Sequence, residues 1–297
     1  MSIVPPRPSS PRLDAFLGQI EALSYRHRRL YLTKHQPSYP RFIYKYKAQP
    51  KGDTPSVQHL RDLLLDGRFW LSSPRDFNDP FDMTGRVILG VTGKKLRDRV
   101  HKLVKTHRSG VGWKQRERME QQLLSRSPEE MEAHVQRAHE QNMSAAGVFS
   151  FAGDAKSILM WSHYGVNHEG VCLQFEIARD PVTLLGAVNV DYVRDYPVIT
   201  WTDDSTEQVK KTLLHKFEAW RYEGERRIIW PNGAHKYLRF DLAALVGVIF
   251  GLRATDVTVA LVRTILADRA ARGLSPVRLY RAQKHGSQYA LVIKRLS

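Results

Sequence analysis

Short apolar strands at irregular spacing are the feature that most limits how this chain folds. Phe42-Ile43-Tyr44-Lys45-Tyr46-Lys47 alternates as a strand does. Arg68 to Ser72, Gly147 to Phe151, Gly170 to Phe175, Ala187 to Val193, Glu225 to Trp230, Tyr237 to Phe240, Val246 to Phe250 and Tyr289 to Ile293 read as further strands. Helical stretches lie between some of them, at Ser56 to Asp66 before Gly67, at Ile158 to Gly165, at Thr206 to Trp220 and at Thr255 to Ala271. With so few strand–helix–strand units, the expected class is α+β rather than a doubly wound parallel sheet.

The organisation predicted from this pattern is one domain over residues 39–297, preceded by a tail and an N-terminal helix over 1–38. Residues 1 to 11 are rich in Pro and Ser and read as disordered. Leu13 to Thr33 is helical in pattern, with a basic Arg26-His27-Arg28-Arg29 and with Pro37 and Pro40 ending it, and it reads as a brace or else as a nucleic-acid arm, the brace being preferred. Residues 94–143 form a charged helical insertion, broken near Ser109-Gly110 and at Ser127-Pro128, where Ser127 can cap a helix with Glu130 at its third position.

The 297 residues carry 46 Lys and Arg against 30 Asp and Glu, a formal charge of +16. Such a field raises encounter with polyanions and points to nucleic acid, a nucleotide or an acidic partner. The single cysteine, Cys172, leaves no intramolecular disulfide and fits a reducing cytoplasm; in its apolar strand it reads as a small core residue. No run has signal-peptide or membrane-spanning character, so a cytoplasmic protein with no membrane partner is expected.

Candidate chemistry gathers in Gln208 to Trp230, which reads as a basic helix running into Trp220 and then a strand that opens with Glu223-Gly224-Glu225. On a strand, residues two apart share a face, so both carboxylates can look into one cleft. One reading pairs them with Arg221, Arg226 or Arg227 on a solvated strand end. The other sets one of them beside a bound sugar, where it stabilises positive charge at the anomeric carbon. A third gathers Asp79, Asp82, His163 and Glu225 as a metal-dependent nuclease, although His163 and His168 lack the spacing of helical zinc ligands. Asn78, Asp79 and Asp82 also read as turn caps, and His163 as a histidine satisfied in the core.

Four blocks in order carry a family resemblance: Tyr44-Lys45-Tyr46; Ser72-Ser73-Pro74 through Phe77-Asn78-Asp79-Pro80-Phe81-Asp82; Met160-Trp161-Ser162-His163-Tyr164 leading to Gly170-Val171-Cys172; and Trp220-Arg221-Tyr222-Glu223-Gly224-Glu225-Arg226-Arg227-Ile228-Ile229. Over roughly Phe42 to Gly251 they resemble a widespread bacterial family of uncharacterised domains. Their order is also similar to that of ADP-ribosyltransferases of the DNA-modifying toxin type. That second resemblance implies an ADP-ribosyltransferase-like split mixed/antiparallel sheet with NAD as cofactor. It sets Lys45, where that group more often has His or Arg, on the first strand, Gly67 after the helix, Leu159-Met160-Trp161 in the middle segment, and Glu225 as the catalytic glutamate. Glu223 then orients the ribose or the acceptor. Tyr44 with Tyr46, or Trp161 with Tyr164, sandwiches the nicotinamide, and Lys45 or Arg75 meets the pyrophosphate. Asn78 and His163 complete the implied cofactor site. A toxin or phage-defence role on nucleic acid, with an antitoxin or immunity protein as partner, is implied in the same way. The rival from another class is a basic nucleic-acid-binding module in which both glutamates are structural.

Overall fold

The computed structural model describes residues 11–50 and 55–296. Helices α1 (Pro11–Ala22) and α2 (Tyr25–His35) precede β1 (Phe42–Lys47), then come α3 (Pro55–Leu64), β2 (Arg68–Leu71) and β3 (Arg86–Ile88). A three-helix arm follows, α4 (Gly93–His107), α5 (Trp113–Leu124) and α6 (Pro128–Ser144). The middle of the chain is β4 (Gly147–Phe151), α7 (Ile158–His163), β5 (Val171–Glu176), α8 (Pro181–Leu184), β6 (Val188–Asn189), β7 (Asp191–Val193) and β8 (Val198–Thr200). Next are α9 (Ser205–Leu213), β9 (His215–Phe217), a 3₁₀ segment over Glu218–Glu223 and β10 (Arg226–Trp230). β11 (Lys236–Arg239), β12 (Leu245–Phe250), α10 (Asp256–Ala271), β13 (Arg278–Lys284) and β14 (Leu291–Arg295) close the described chain.

The architecture is mixed α/β with several small sheets. One sheet has the order β1-β5-β12-β13-β14, antiparallel except for β12 and β13, which run parallel because α10 carries the chain back across. A second has the order β4-β10-β6, and β2 with its partner β11 touches β4 through the bridge Ser72↔Val148. Among the described residues the two sheets are bridged only at Tyr44↔Ala152, between β1 and β4. Phe69, Phe149, Phe151, Phe175 and Phe240 fill the space between them, with Phe69 stacked on Phe240 at 4.2 Å between ring centres. Burying each such ring contributes about 1.5–3 kcal/mol. Gly67 has φ +61°, and a Cβ there would lie 2.9 Å from the Phe240 carbonyl oxygen, so the turn from α3 to β2 requires glycine.

Several expectations hold in substance. The arm breaks where expected, and Ser127 and Glu130 form a reciprocal capping box at the start of α6, at 3.2 and 2.9 Å. The N-terminal segment does brace the sheet, with the Tyr25 hydroxyl donating to Glu176 at 2.7 Å. It is two helices rather than one, because Ser24 caps a fresh helix. The disorder expected for residues 1 to 11 falls on positions outside the described residues, save Pro11, which opens α1.

Three expectations are corrected. The helix expected from Thr206 to Trp220 stops at Leu213, and His215–Phe217 is instead a strand paired in parallel with β7. The stretch Ala187 to Val193 is two short strands rather than one, and β13, Arg278–Lys284, was not anticipated. Its residues Arg278, Arg281, Gln283 and Lys284 hide the alternation, because only Ala282 in the strand is buried.

Candidate active site

A cleft of about 560 Å³ is lined by β1, β4, the turn after β2 and the 3₁₀ segment before β10. Tyr164, Lys216, Glu223 and Glu225 form one linked group in its lining, and Arg68 with Asp62, which also acts on Lys47 and His59, forms another; Tyr44, Lys45, Trp70, Asn78 and Ser150 line it as well. Charge of both signs lines the cleft: carboxylate is in excess around Lys216, while Asp62 offsets one of the two cations, Arg68 and Lys47, that it adjoins.

The glutamates are brought together by a turn and not by strand alternation. Glu223 ends the 3₁₀ segment, Gly224 is left-handed at φ +52°, and Glu225 stands just before β10. Lys216 on β9 bridges them, its Nζ donating to Glu223 Oε2 at 2.6 Å and Glu225 Oε2 at 3.0 Å. Arg227, which has no exposed surface, donates from Nε to Glu225 Oε1 at 2.8 Å and from one terminal nitrogen to both oxygens of Asp82 at 2.8 and 2.6 Å. The Glu225 N–H donates to the Tyr192 hydroxyl at 2.7 Å, and the Tyr164 hydroxyl donates to Glu223 at 2.8 Å. Asp82, Glu223 and Glu225 thus face two cations, and when all five are ionised the cluster keeps one negative charge in excess.

The two glutamates are driven in opposite directions. Burial alone would raise Glu225, but Arg227 and Lys216 outweigh it and hold the carboxyl far below the usual range. Glu223 goes up, because burial and the neighbouring Glu225 prevail over Lys216. Lys216, for which burial would lower the ammonium, is held above the ordinary lysine range by Glu225, Glu223 and Asp82. Burial, with Lys47 alongside, brings Lys45 down to about 7. Its Nζ donates to the Ser150 carbonyl at 2.8 Å and lies over the Phe149 ring. The Ser150 hydroxyl is buried without a hydrogen bond of regular geometry, yet lies near enough to Glu225 to favour its ionised form. Lys47, lowered by burial, makes no hydrogen bond or ion pair with the described residues.

Of the residues singled out from sequence, Tyr44, Lys45, Tyr46, Asn78, His163, Tyr164, Glu223 and Glu225 line this cleft. Trp161 does not: it has no exposed surface, gives its Nε1 hydrogen to Ala155 O at 2.8 Å, and takes the edge of Tyr46 at 5.0 Å. Tyr46 in turn is buried and donates to the Asp154 carbonyl, so neither the Tyr44–Tyr46 nor the Trp161–Tyr164 pair forms an open sandwich. Arg75 is exposed and outside the lining. His163 is exposed rather than a core histidine, stacked on Tyr222 at 6.2 Å and edge-on to Trp220 at 6.3 Å at the cleft rim.

The proposed nuclease set does not assemble. Asp82 and Glu225 are held together by Arg227 and Lys216 rather than by a metal site, Asp79 caps its own turn by accepting from the Phe81 N–H, and His163 belongs to the aromatic rim. Among the described residues, no three His, Cys, Asp or Glu side chains are grouped as for a metal ion. Cys172 is buried, and burial pushes its thiol up. Sequence reasoning missed Lys216, hidden in what reads as a helix, and the inward course of Arg227. Among the described residues no helix is long and apolar enough to cross a membrane. No protein-family description, characterised protein or solved structure was found to match the chain.

Proposed function

We propose that the cleft performs NAD-dependent ADP-ribosyl transfer, with Glu225 and Glu223 as its catalytic pair. The observation that carries this reading is the opposed shift of two adjacent carboxylates in a cleft that Lys45 and Lys47 also line. Adjacent groups with pKa values pushed apart mark an acid–base division of labour. The volume is within the range of cofactor sites. The Lys47 ammonium, which has no hydrogen bond or ion pair among the described residues, and the buried Ser150 hydroxyl are polar groups that a bound dinucleotide would satisfy.

NAD supplies a ribose whose bond to a positively charged nicotinamide breaks with oxocarbenium character. Glu225, kept ionised by Arg227 and Lys216, stabilises that charge electrostatically, and the excess negative charge of the cluster favours the cationic ring. Glu223, the more basic of the two, accepts the proton lost by the acceptor as its new bond to the anomeric carbon forms and neutral nicotinamide departs. Lys45 and Lys47 hold the phosphates. The net charge of +16 favours a nucleic acid as acceptor.

The competing reading makes Glu225 structural, tying β10 to the end of α9 and to Asp82, because both of its oxygens are already engaged. Label transfer and nicotinamide release from labelled NAD separate the two readings. Glu225→Gln should lower release by about 100-fold or more, while circular dichroism shows it folded and NAD binding persists. Full release by the folded variant would leave the structural reading standing.

A further inference from the structure

We propose that the α4–α5 hairpin is a docking surface for single-stranded nucleic acid, with Trp113 as the platform on which a base stacks. Between Gly93 and Leu124 ten Lys and Arg stand against three Asp and Glu. Among the described residues, none of those ten forms an ion pair. Leu96, Val100 and Val104 turn inward to the small core of the arm, which puts Lys94, Lys95, Lys102 and Lys105 on the outer face of α4. The 15 residues of α4 extend that row over about 22 Å. A row of unpaired cations of that length matches a strand of phosphates better than a compact acidic patch on a protein.

The aromatic group points to the same ligand. Trp113 opens α5 at the tip of the hairpin, is 65% exposed, and contributes nothing to the core of the arm. Lys114 lies beside it, with Nζ 5.7 Å from the ring centre, and Arg108 is exposed just before the turn. An open indole face flanked by cations suits an unstacked base with its phosphate, whereas a duplex hides its base faces. Docking by the hairpin stands apart from the chemistry of the cleft; only the view of the bound strand as acceptor rests on the transferase reading.

Fluorescence anisotropy tests this on the full chain, using labelled DNA and RNA single strands of about twenty nucleotides and the corresponding duplex, at salt from about 50 to 200 mM. The variants are Trp113→Ala, the triple K105E/R108E/K114E, and a charge-matched triple R26E/R29E/K34E on α2. The hairpin triple should weaken single-strand binding by about 10-fold or more and flatten its salt dependence, with the α2 triple losing less than about 3-fold. Trp113→Ala should lose about 5-fold on single strands and little on duplex. Equal losses in both triples, an unaffected Trp113→Ala, or duplex bound as tightly as single strand would overturn the proposal. So would absence of binding by the wild type, which would turn attention to an acidic protein surface. Nicotinamide release, measured on the same variants without added nucleic acid, should be unchanged by the hairpin changes, and its absence alongside intact binding would count against the cleft reading only.

Discussion

Lys45 shows how a single side chain ties the fold to the chemistry. It sits on the strand where the two sheets meet, in the lining of the cleft, and burial brings its ammonium down to about 7. A pyrophosphate there pairs with the charged form, so NAD affinity should be highest below that value and fall several-fold between about pH 6 and 8.5. Folding stability runs the other way. The unfolded lysine titrates near 10.4, so the unfolded chain binds more protons between the two values and stability rises across that window. Lys45→Arg, whose guanidinium does not titrate here, should flatten the binding profile. Calorimetric titration with NAD across this range checks the effect, and a flat wild-type profile would remove Lys45 from the phosphate site.

At the scale of the element, the segment from α9 through β10 decides the geometry of the carboxylates. The left-handed turn at Gly224 lets Glu223 and Glu225 reach the same ammonium although only one of them adjoins a strand. A Cβ at Gly224 would find its nearest neighbour, Gly153 Cα, at 3.6 Å, an ordinary contact, so Gly224→Ala is strained by the backbone alone. It should cost about 1–2 kcal/mol in urea unfolding and lower turnover more than NAD affinity. Unchanged turnover would mean that the turn does not set the pair.

This segment also shows what was legible beforehand. The Glu223-Gly224-Glu225 spacing was plain in the sequence, as were Tyr44, Lys45, Asn78 and Tyr164. The position of Lys216 was not, because Gln208 to Trp220 carries helical charge patterning and only pairing with β7 makes His215–Phe217 a strand. Trp161 read as a ligand contact because an aromatic residue before Ser162-His163-Tyr164 looks the same whether it faces a cleft or a core. Tertiary packing against Tyr46 chose the core. Arg227 read as a partner on a solvated strand end, yet it is the most enclosed cation of the site, since Asp82, far away in sequence, closes over it.

For the whole molecule, the central claim is that a dinucleotide spans the opening between the two sheets. Among the described residues the sheets are joined by one bridge and a shared phenylalanine core, which holds the walls apart without filling the cleft. The acidic cluster of Glu223 and Glu225 and the ammonium groups of Lys45 and Lys47 line the same opening, so a ligand with one cationic and one anionic part is matched better in one direction than in the other. The most direct measurement is a crystal structure of Glu225→Gln, which retains an oxygen for Arg227, grown with NAD. The account predicts the pyrophosphate beside Lys45 and Lys47 and the nicotinamide ribose against Glu223 and residue 225. NAD bound in the reverse direction, bound elsewhere, or absent at saturating concentration would contradict it.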